Sequence, residues 1–198
     1  MLIYVVRHGQ STDDLSDSYG GAADFPLTDH GREQARLAAA RLRGSDAAVI
    51  YSSPLARAAQ SAEIIASELG GLPVEVVSDL RERNAFGVLS GHTRARAQEL
   101  FGYLLEPVTA GPDGGQACLP GSEEYDRFAC RVRGAFGEVV RRAVASAHET
   151  IAIVTHRQVT LALFTSVLGL GDNYEQGHGA VNAIEYQRPR FVHDSAPG

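Results

Sequence analysis

Short apolar runs separated by longer helical stretches are the feature that most restricts how this chain can fold. Each run is rich in β-branched residues and nearly continuous, as expected for strands that are buried on both faces of a sheet. The five runs are Leu2–Val6, Ala48–Ser52, Val74–Ser78, Ile151–Thr155 and Val181–Tyr186. Strands that alternate with helices predict an α/β fold, a three-layer α/β/α sandwich around a mostly parallel central sheet.

Helical stretches fill the intervals between the predicted strands. Thr28 can cap a helix that runs to about Leu42. A second helix is predicted from Pro54 to Leu69, because proline is favoured in a first turn and two glycines follow Leu69. Further helices are predicted over Thr93–Leu105, Ser122–Ser146 and Gln158–Leu168.

Two segments lack this regular pattern. The Pro- and Gly-rich segment Glu106–Gly121 predicts a long surface loop, which is either a functional element such as a substrate lid or a tolerated insertion. Residues 188–198 show no periodicity and are predicted to be a frayed tail. Because no domain boundary is visible, we expect residues 1–187 to form one domain.

Charge and cysteine content exclude several classes of protein. The chain has 18 arginines and no lysine against 24 acidic residues, a net charge of −6 that argues against a nucleic-acid or membrane-surface binder. Cys118 and Cys130 fit no metal or redox spacing and are too few for a disulfide framework. The apolar opening Met1–Val6 is too short for a signal or membrane segment. We therefore expect a cytoplasmic protein.

Potentially reactive residues follow the first predicted strand directly. Arg7 and His8 come where ligands bind in open α/β sheets, beyond the carboxyl ends of the strands. Gly9 would allow the backbone to approach a ligand closely, and Ser11 adds a hydroxyl donor. On its own, an Arg-His-Gly tripeptide such as Arg7-His8-Gly9 occurs often by chance.

A second histidine and arginine, His156 and Arg157, follow the predicted strand Ile151–Thr155 in the same way. A single histidine after a strand is more often structural than catalytic. Two such histidines, each beside an arginine, instead indicate an anion site at the strand ends, most naturally for a phosphoryl group.

Arg57 and Glu82 extend this pattern. Arg57 falls in the first turn of a predicted helix, where a cation opposes the helix dipole but can meet an anion; the alternative is a solvated surface arginine. A carboxyl such as Glu82, placed near a bound phosphate, has a raised pKa that suits it to donate a proton. Glu82 could equally pair with Arg81 or Arg83.

In this order, the segments closely resemble the histidine phosphatase superfamily, also called phosphoglycerate mutase-like. The resemblance covers roughly residues 2–186, and six ordered matches carry it. They are Arg7-His8-Gly9, Leu27–Gly31, Ser53–Ala62, Leu80–Glu82, Pro120–Glu123 with Arg131-Val132, and Val154–His156.

The resemblance implies a ping-pong mechanism in which His8 becomes phosphohistidine. It implies that Arg7, Arg57 and a protonated His156 form the phosphate pocket and that Glu82 is the proton donor. His8 must then be neutral at the attacking nitrogen, with its other nitrogen held by the backbone. Because three cationic groups would do the work of Mg²⁺, we expect no metal and no cofactor.

The chain departs from the family pattern at four places. Many members have asparagine at the position of Asp14 and glycine at that of Arg157, and these two residues would offset or pair with each other. One extra residue lies between Glu82 and Gly87, which affects the aim of Glu82. Ser122 replaces a usual second glycine. None of these changes removes a catalytic group.

The pattern favours a phosphatase for a small phosphorylated metabolite. The alternatives are a cofactor-dependent phosphoglycerate mutase, which usually has a longer insertion than residues 87–120, and a catalytically silent binding module. Specificity is expected from residues 13–25, 86–105 and 106–121. Tyr19, Phe101 and Tyr103 in these segments could stack on a sugar or nucleobase, or belong to the core. The sequence leaves a homodimer open.

Overall fold

A mixed sheet of five strands lies at the centre of the computed structural model, which describes residues 1–105, 119–171 and 173–187. The strand order is β3-β2-β4-β1-β5, and β5 is antiparallel to β1 while the other neighbours are parallel. The strands are β1 Leu2–Arg7, β2 Ile50–Ser52, β3 Val74–Val76, β4 Thr150–Thr155 and β5 Val181–Glu185. The predicted mostly parallel sheet is thus confirmed.

Six α-helices occur in the described ranges, and one of them was not predicted. They are α1 Thr12–Leu15, α2 Asp29–Leu42, α3 Ala56–Glu68, α4 Arg94–Leu105, α5 Tyr125–Ala145 and α6 Arg157–Ala162. The unpredicted helix is α1, which is four residues long. Helix α6 continues into a π-helical turn, Leu163–Val167. None of the helices in these ranges is long and apolar enough to cross a membrane.

Helix ends follow local hydrogen bonding. Thr28 caps α2 as predicted, since its hydroxyl accepts from the amide of Gly31 at 2.9 Å. Helix α5 begins three residues later than predicted, because Glu124 has extended backbone and the amide of Glu123 donates to the carbonyl of Asn84. The part of the predicted loop from 106 to 118, which includes Cys118, lies outside the described residues. The predicted tail at 188–198 lies outside them as well.

Helices cover both faces of the sheet, which confirms the three-layer sandwich. Val6 and its neighbours pack with α2 and α3, whereas Val5 belongs to the core on the side of α5 and α6. Successive residues of a strand point to opposite faces, so both faces of β1 require apolar side chains. The apolar runs in the sequence are continuous for this reason.

The sheet topology places the ends of β1 and β4 side by side. Arg7 pairs with Thr155 in the parallel register, so His8 and His156 each lie one residue beyond neighbouring strands. Helix α2 follows β1 on one face and α6 follows β4 on the other. Connections that leave to opposite faces create a crevice at the strand ends, where ligands bind in α/β proteins.

Candidate active site

His8 lies in this crevice with one ring nitrogen already committed to the backbone. Its Nδ1 lies 2.7 Å from the carbonyl oxygen of Gly9. A carbonyl can only accept, so Nδ1 carries the proton and Nε2 keeps its lone pair. Burial, followed by the charge of Arg57, lowers the pKa of His8 well below its usual value. His8 is therefore a neutral imidazole with Nε2 free to act as a nucleophile.

His156 packs edge-on against His8, with the ring centroids 5.0 Å apart. Its Nε2 lies 2.7 Å from the hydroxyl of Ser53, and its buried Nδ1 has no hydrogen-bonding partner among the described residues. Burial and the neighbouring His8 and Arg57 lower the pKa of His156 well below its usual value. The protonated His156 expected from the resemblance is therefore not the state of the protein without an anion.

Arg7 is held from two sides by the loop that precedes β5. Its guanidinium donates to the carbonyl of Gln176 at 2.5 Å, and its second terminal nitrogen lies 2.8 Å from Nε2 of His178. Its buried Nε has no partner within the described ranges. The two contacts thus orient the guanidinium and leave its Nε–H unpaired among the described residues.

His178 is a third histidine of the site, and the sequence reasoning missed it. Its ring centroid lies 5.7 Å from that of His8. Because Arg7 can only donate, Nε2 of His178 is the acceptor in this contact, and the same nitrogen lies 3.4 Å from the carboxylate of Asp14. Burial, followed by the charge of Arg7, lowers the pKa of His178. The glycines that flank His178 are the only local signal of a special turn there.

The two unusual residues of the family pattern do not form an ion pair with each other. Asp14 accepts from the amide of Ser11 at 3.0 Å, and its carboxylate lies 3.4 Å from His178. Arg157 is exposed at the start of α6, close enough to Arg7 for its charge to lower the pKa of that guanidinium. Its predicted phosphate contact stays a prediction.

Arg57 is 3% exposed, so the alternative of a solvated surface arginine is wrong. Its guanidinium donates to the carbonyls of Ala23 and Gly21, both at 2.9 Å. These bonds fix the guanidinium, and burial lowers its pKa, an effect that the negative charges of Asp13 and Glu82 oppose. Helix α3 thus delivers a fixed cation to the site.

Glu82 is buried, and neither adjacent arginine neutralises it. Its carboxylate accepts from the backbone amides of Arg83 at 2.9 Å and Gln158 at 3.3 Å. Arg81 pairs with Asp79 instead, so the predicted alternative of an ion pair beside Glu82 is wrong. Burial raises the pKa of Glu82, opposed by the two amides and by the nearby arginines. A raised pKa suits a proton donor.

Gly9 and Ser11 have different environments from those expected. The amide of Gly9 donates to the hydroxyl of Ser61 at 3.1 Å, and a Cβ on Gly9 would collide with the backbone of Gly31. Packing against α2 is therefore sufficient to require glycine at this position, and the predicted close approach of its backbone to a ligand stays a prediction. Ser11 is buried at the start of α1, and its predicted phosphate contact stays a prediction.

The three histidines of the site, His8, His156 and His178, make the free energy of unfolding depend on pH. Because their pKa values are lowered on folding, the unfolded chain binds protons first below pH about 6.5, and the folded state loses stability as pH falls. We expect the free energy of unfolding to decrease from pH 7.5 to 5.5 by up to about 1.4 kcal/mol per pH unit for each histidine. Glu82 acts oppositely, because its raised pKa favours the folded state at low pH.

Urea unfolding in phosphate-free buffer measures this dependence. His178→Gln keeps an acceptor for Arg7 but does not titrate, so its slope should be shallower by up to one proton. The same slope in both proteins would show that His178 does not contribute.

The α/β/α sandwich and the two strand-end histidines together define a phosphoglycerate mutase-like protein. The chain belongs to the histidine phosphatase superfamily (branch 1), whose family model matches residues 3–195. A "Probable phosphoglycerate mutase GpmB" of Photorhabdus laumondii is 31% identical over 197 residues, which cover 97% of this chain and 88% of that protein.

Two solved structures show the same fold. YhfR of Bacillus stearothermophilus is 25% identical with a TM-score of 0.74, over 94% of this chain and 91% of that one. A mycobacterial glucosyl-3-phosphoglycerate phosphatase, solved with VO3, is 26% identical with a TM-score of 0.66, over 93% and 90% of the two chains. Named relatives thus include both phosphatases and mutases.

Proposed function

We propose that this protein is a phosphatase that hydrolyses small phosphomonoesters through a phosphohistidine on Nε2 of His8. The observation that carries the proposal is the state of His8: Nδ1 is fixed on the carbonyl of Gly9, which leaves Nε2 unprotonated. The charges of Arg57 and Arg7 both act on this buried ring. A neutral nucleophile beside two fixed cations suits attack on a phosphate ester.

In the first step, Nε2 of His8 attacks phosphorus and the ester P–O bond breaks. Protonated Glu82 gives its proton to the departing alkoxide, which leaves as an alcohol. In the second step, water attacks the phosphohistidine, the carboxylate of Glu82 takes a proton from that water, and the N–P bond breaks. Phosphate leaves, and His8 and protonated Glu82 are restored.

The cationic groups balance the charge on the phosphoryl oxygens. Arg7 and Arg57 are fixed in place before any ligand arrives, so they need little reorganisation. A bound phosphate dianion would offset the cations that lower the pKa of His156, and this favours uptake of a proton by its ring. In this proposal His156 is neutral before binding and cationic with phosphate bound.

A mutase is the second candidate, because the curated relative described above carries that name. Such an enzyme would share the phosphohistidine but return the group to another hydroxyl instead of water. The glucosyl-3-phosphoglycerate phosphatase, similar over most of both chains, supports hydrolysis. The two activities differ in the fate of the phosphoryl group, which makes them easy to separate.

The test follows a phosphomonoester labelled with ³²P. The reaction is stopped with detergent at alkaline pH, because the N–P bond of phosphohistidine is labile to acid. Labelled protein together with free phosphate supports a phosphatase, and movement of the label between hydroxyls would show a mutase. Neither product from a wide panel of phosphorylated metabolites would favour a silent binding module, and the same panel identifies the preferred leaving group.

We expect the aromatic residues proposed for specificity to differ in availability. The ring of Tyr19 already contacts Phe86, with centroids 5.1 Å apart, and Arg94 lies 4.7 Å over it. Phe101 packs edge-on against His92, whereas Tyr103 is exposed. The ring of Tyr19 is therefore already packed against these two side chains rather than offering a free face to a substrate.

Arg57→Ala should lower kcat/KM by about 10²–10³, the scale for loss of one preorganised charged donor. The reason is that Arg57 is fixed beside Glu82 and His8 and stabilises charge on the transferring group. Steady-state kinetics measure the effect, and Arg36→Ala on the exposed face of α2 is the matched control. A change below roughly threefold would exclude a role in charge stabilisation on this scale.

Activity should be independent of added divalent metal and undiminished by EDTA. Fixed guanidinium groups supply the positive charge that Mg²⁺ provides in many phosphoryl-transfer enzymes. Phosphate release is measured after dialysis against the chelator, with a Mg²⁺-dependent phosphatase treated in parallel. If EDTA abolished turnover and Mg²⁺ restored it, charge balance by arginine alone would be insufficient.

A further inference from the structure

We propose that Arg131 and Glu123 are positioning residues that hold the carboxyl of Glu82 toward the leaving group. The inference rests on the proposed function, because it assigns a role relative to the proton donor of that reaction. It also explains one of the six sequence matches, Pro120–Glu123 with Arg131-Val132, for which the proposed chemistry has no use. Neither residue needs to contact the substrate.

Arg131 and Glu123 form a two-pronged ion pair. Nε of Arg131 and one terminal nitrogen donate to the two carboxylate oxygens of Glu123 at 2.8 and 2.7 Å. The Arg131 side chain is only 9% exposed, and its guanidinium lies 5.1 Å over the ring of Phe128. The fork geometry of a bidentate pair fixes the orientation of both side chains.

The same guanidinium binds the backbone that leads into Glu82. Arg131 donates to the carbonyls of Asp79 at 2.7 Å, Arg81 at 3.0 Å and Glu82 at 3.5 Å. Three carbonyls within four consecutive residues thus share one cation. A buried ion pair contributes little net stability against a well-packed apolar pair, so a role in fixing geometry accounts better for it.

Glu123 secures the chain on the other side of Glu82. Its amide donates to the carbonyl of Asn84 at 2.8 Å, and its own carbonyl accepts from Nε of Arg83 at 2.9 Å. Glu82 therefore lies between two anchored stretches, residues 79–81 and 83–84. The hydroxyl of Thr155 also donates to the carbonyl of Leu80 at 2.9 Å, which ties the segment to the residue before His156.

The position of Glu82 depends on these anchors because one of its two carboxylate bonds is local and the other, which reaches α6, is long. One oxygen accepts from the next residue in the chain and the other from the amide of Gln158 at 3.3 Å. If residues 79–84 shift, the bond to the amide of Arg83 moves with them and cannot restore the direction in which the carboxyl points. A displacement of about 1 Å at a reacting group costs about 10²-fold in rate.

The leaving group supplies an assay that isolates this role. An alkyl phosphate needs a proton donor when its alkoxide departs, whereas p-nitrophenyl phosphate needs little help. We expect Glu123→Gln and Arg131→Lys to slow phosphorylation of His8 in single turnovers by about 10–10²-fold with the alkyl ester. With p-nitrophenyl phosphate the loss should stay below roughly threefold. In the Glu82→Gln background neither substitution should reduce the alkyl rate further.

Arg142→Lys is the matched control. Arg142 also lies on α5 and pairs with Glu138, but on an exposed surface near the far end of the helix. It should leave both rates unchanged. Urea unfolding of every variant reports whether the fold survives, and Glu123→Gln keeps the three carbonyl contacts of Arg131 available if Arg131→Lys does not fold.

Equal losses on the two esters, or losses that add to that of Glu82→Gln, would overturn the positioning role while leaving the proposed function intact. Absence of phosphohistidine in the wild-type protein would overturn the proposed function, and this inference with it. The two failures are distinguished because the first still shows labelled His8.

Discussion

His8→Ala should abolish turnover and the labelled phosphoenzyme together. Loss of the nucleophile of a covalent enzyme costs on the order of 10⁶ in kcat, because the two-step route disappears. In the proposed mechanism the remaining cations of the pocket would still bind phosphate, but they offer no atom to which it can transfer. Alkaline gel analysis of the labelled protein and release of free phosphate measure the two losses independently.

The fold should tolerate this change. The His8 side chain makes one hydrogen bond to the neighbouring carbonyl and lies in a polar crevice, so the free energy of unfolding should change by about 1–2 kcal/mol. His148→Ala is the matched control, because His148 comes just before β4 at the opposite end of the sheet. Activity near the wild-type level in His8→Ala would show that another group accepts the phosphoryl group.

Glu82→Gln should slow the phosphorylation of His8 by alkyl phosphates by about 10²–10⁴-fold, the usual contribution of a general acid. Glutamine keeps the shape, and its single oxygen can still accept from the amide of Arg83 or of Gln158 but not from both, so the substitution removes the acidic proton and one of the two backbone bonds. With p-nitrophenyl phosphate the loss should be much smaller. Single turnovers are required, because in the proposed mechanism Glu82 also accepts the proton of water in the second step.

The pH dependence provides a second measurement of the same group. Burial raises the pKa of Glu82, so the protonated donor persists to higher pH than in an exposed carboxyl. The alkyl phosphorylation rate should decrease as pH rises through that pKa, and Glu82→Gln should remove this limb of the profile. Equal losses on the two esters would mean that another carboxyl is the acid, and Asp14 would be tested next.

The sequence predicted the fold because the central strands β1, β2 and β4 lie between two helical layers, although the edge strands β3 and β5 are partly exposed. The adjacent residues Val5 and Val6 enter different cores, which requires a continuous apolar run and makes the strands recognisable. Parallel neighbours then place the residues after β1 and β4 at one edge. His8 and His156 could be predicted as partners from this rule alone, without knowledge of any contact.

His178 was missed because the amino-acid composition of β5 does not indicate whether this strand runs parallel or antiparallel to β1. In an antiparallel strand the residues that precede it, rather than those that come after it, lie beside the ends of β1 and β4. The rule that places site residues after parallel strands therefore does not reach the turn with His178. The contacts of Arg131 could not be predicted either, because they join its side chain to carbonyls about fifty residues away in sequence and leave no local pattern.

The backbone contact between Gly9 and Gly31 also limits which sequences this architecture accepts. A Cβ on Gly9 would strike the carbonyl of Gly31, and a Cβ on Gly31 would strike that of Gln10. Because each obstacle is main chain rather than a side chain, no compensating substitution elsewhere can open the space. In a survey of all single amino-acid replacements, positions 9 and 31 would therefore rank beside His8, the proposed nucleophile, as intolerant, although their requirement is purely steric.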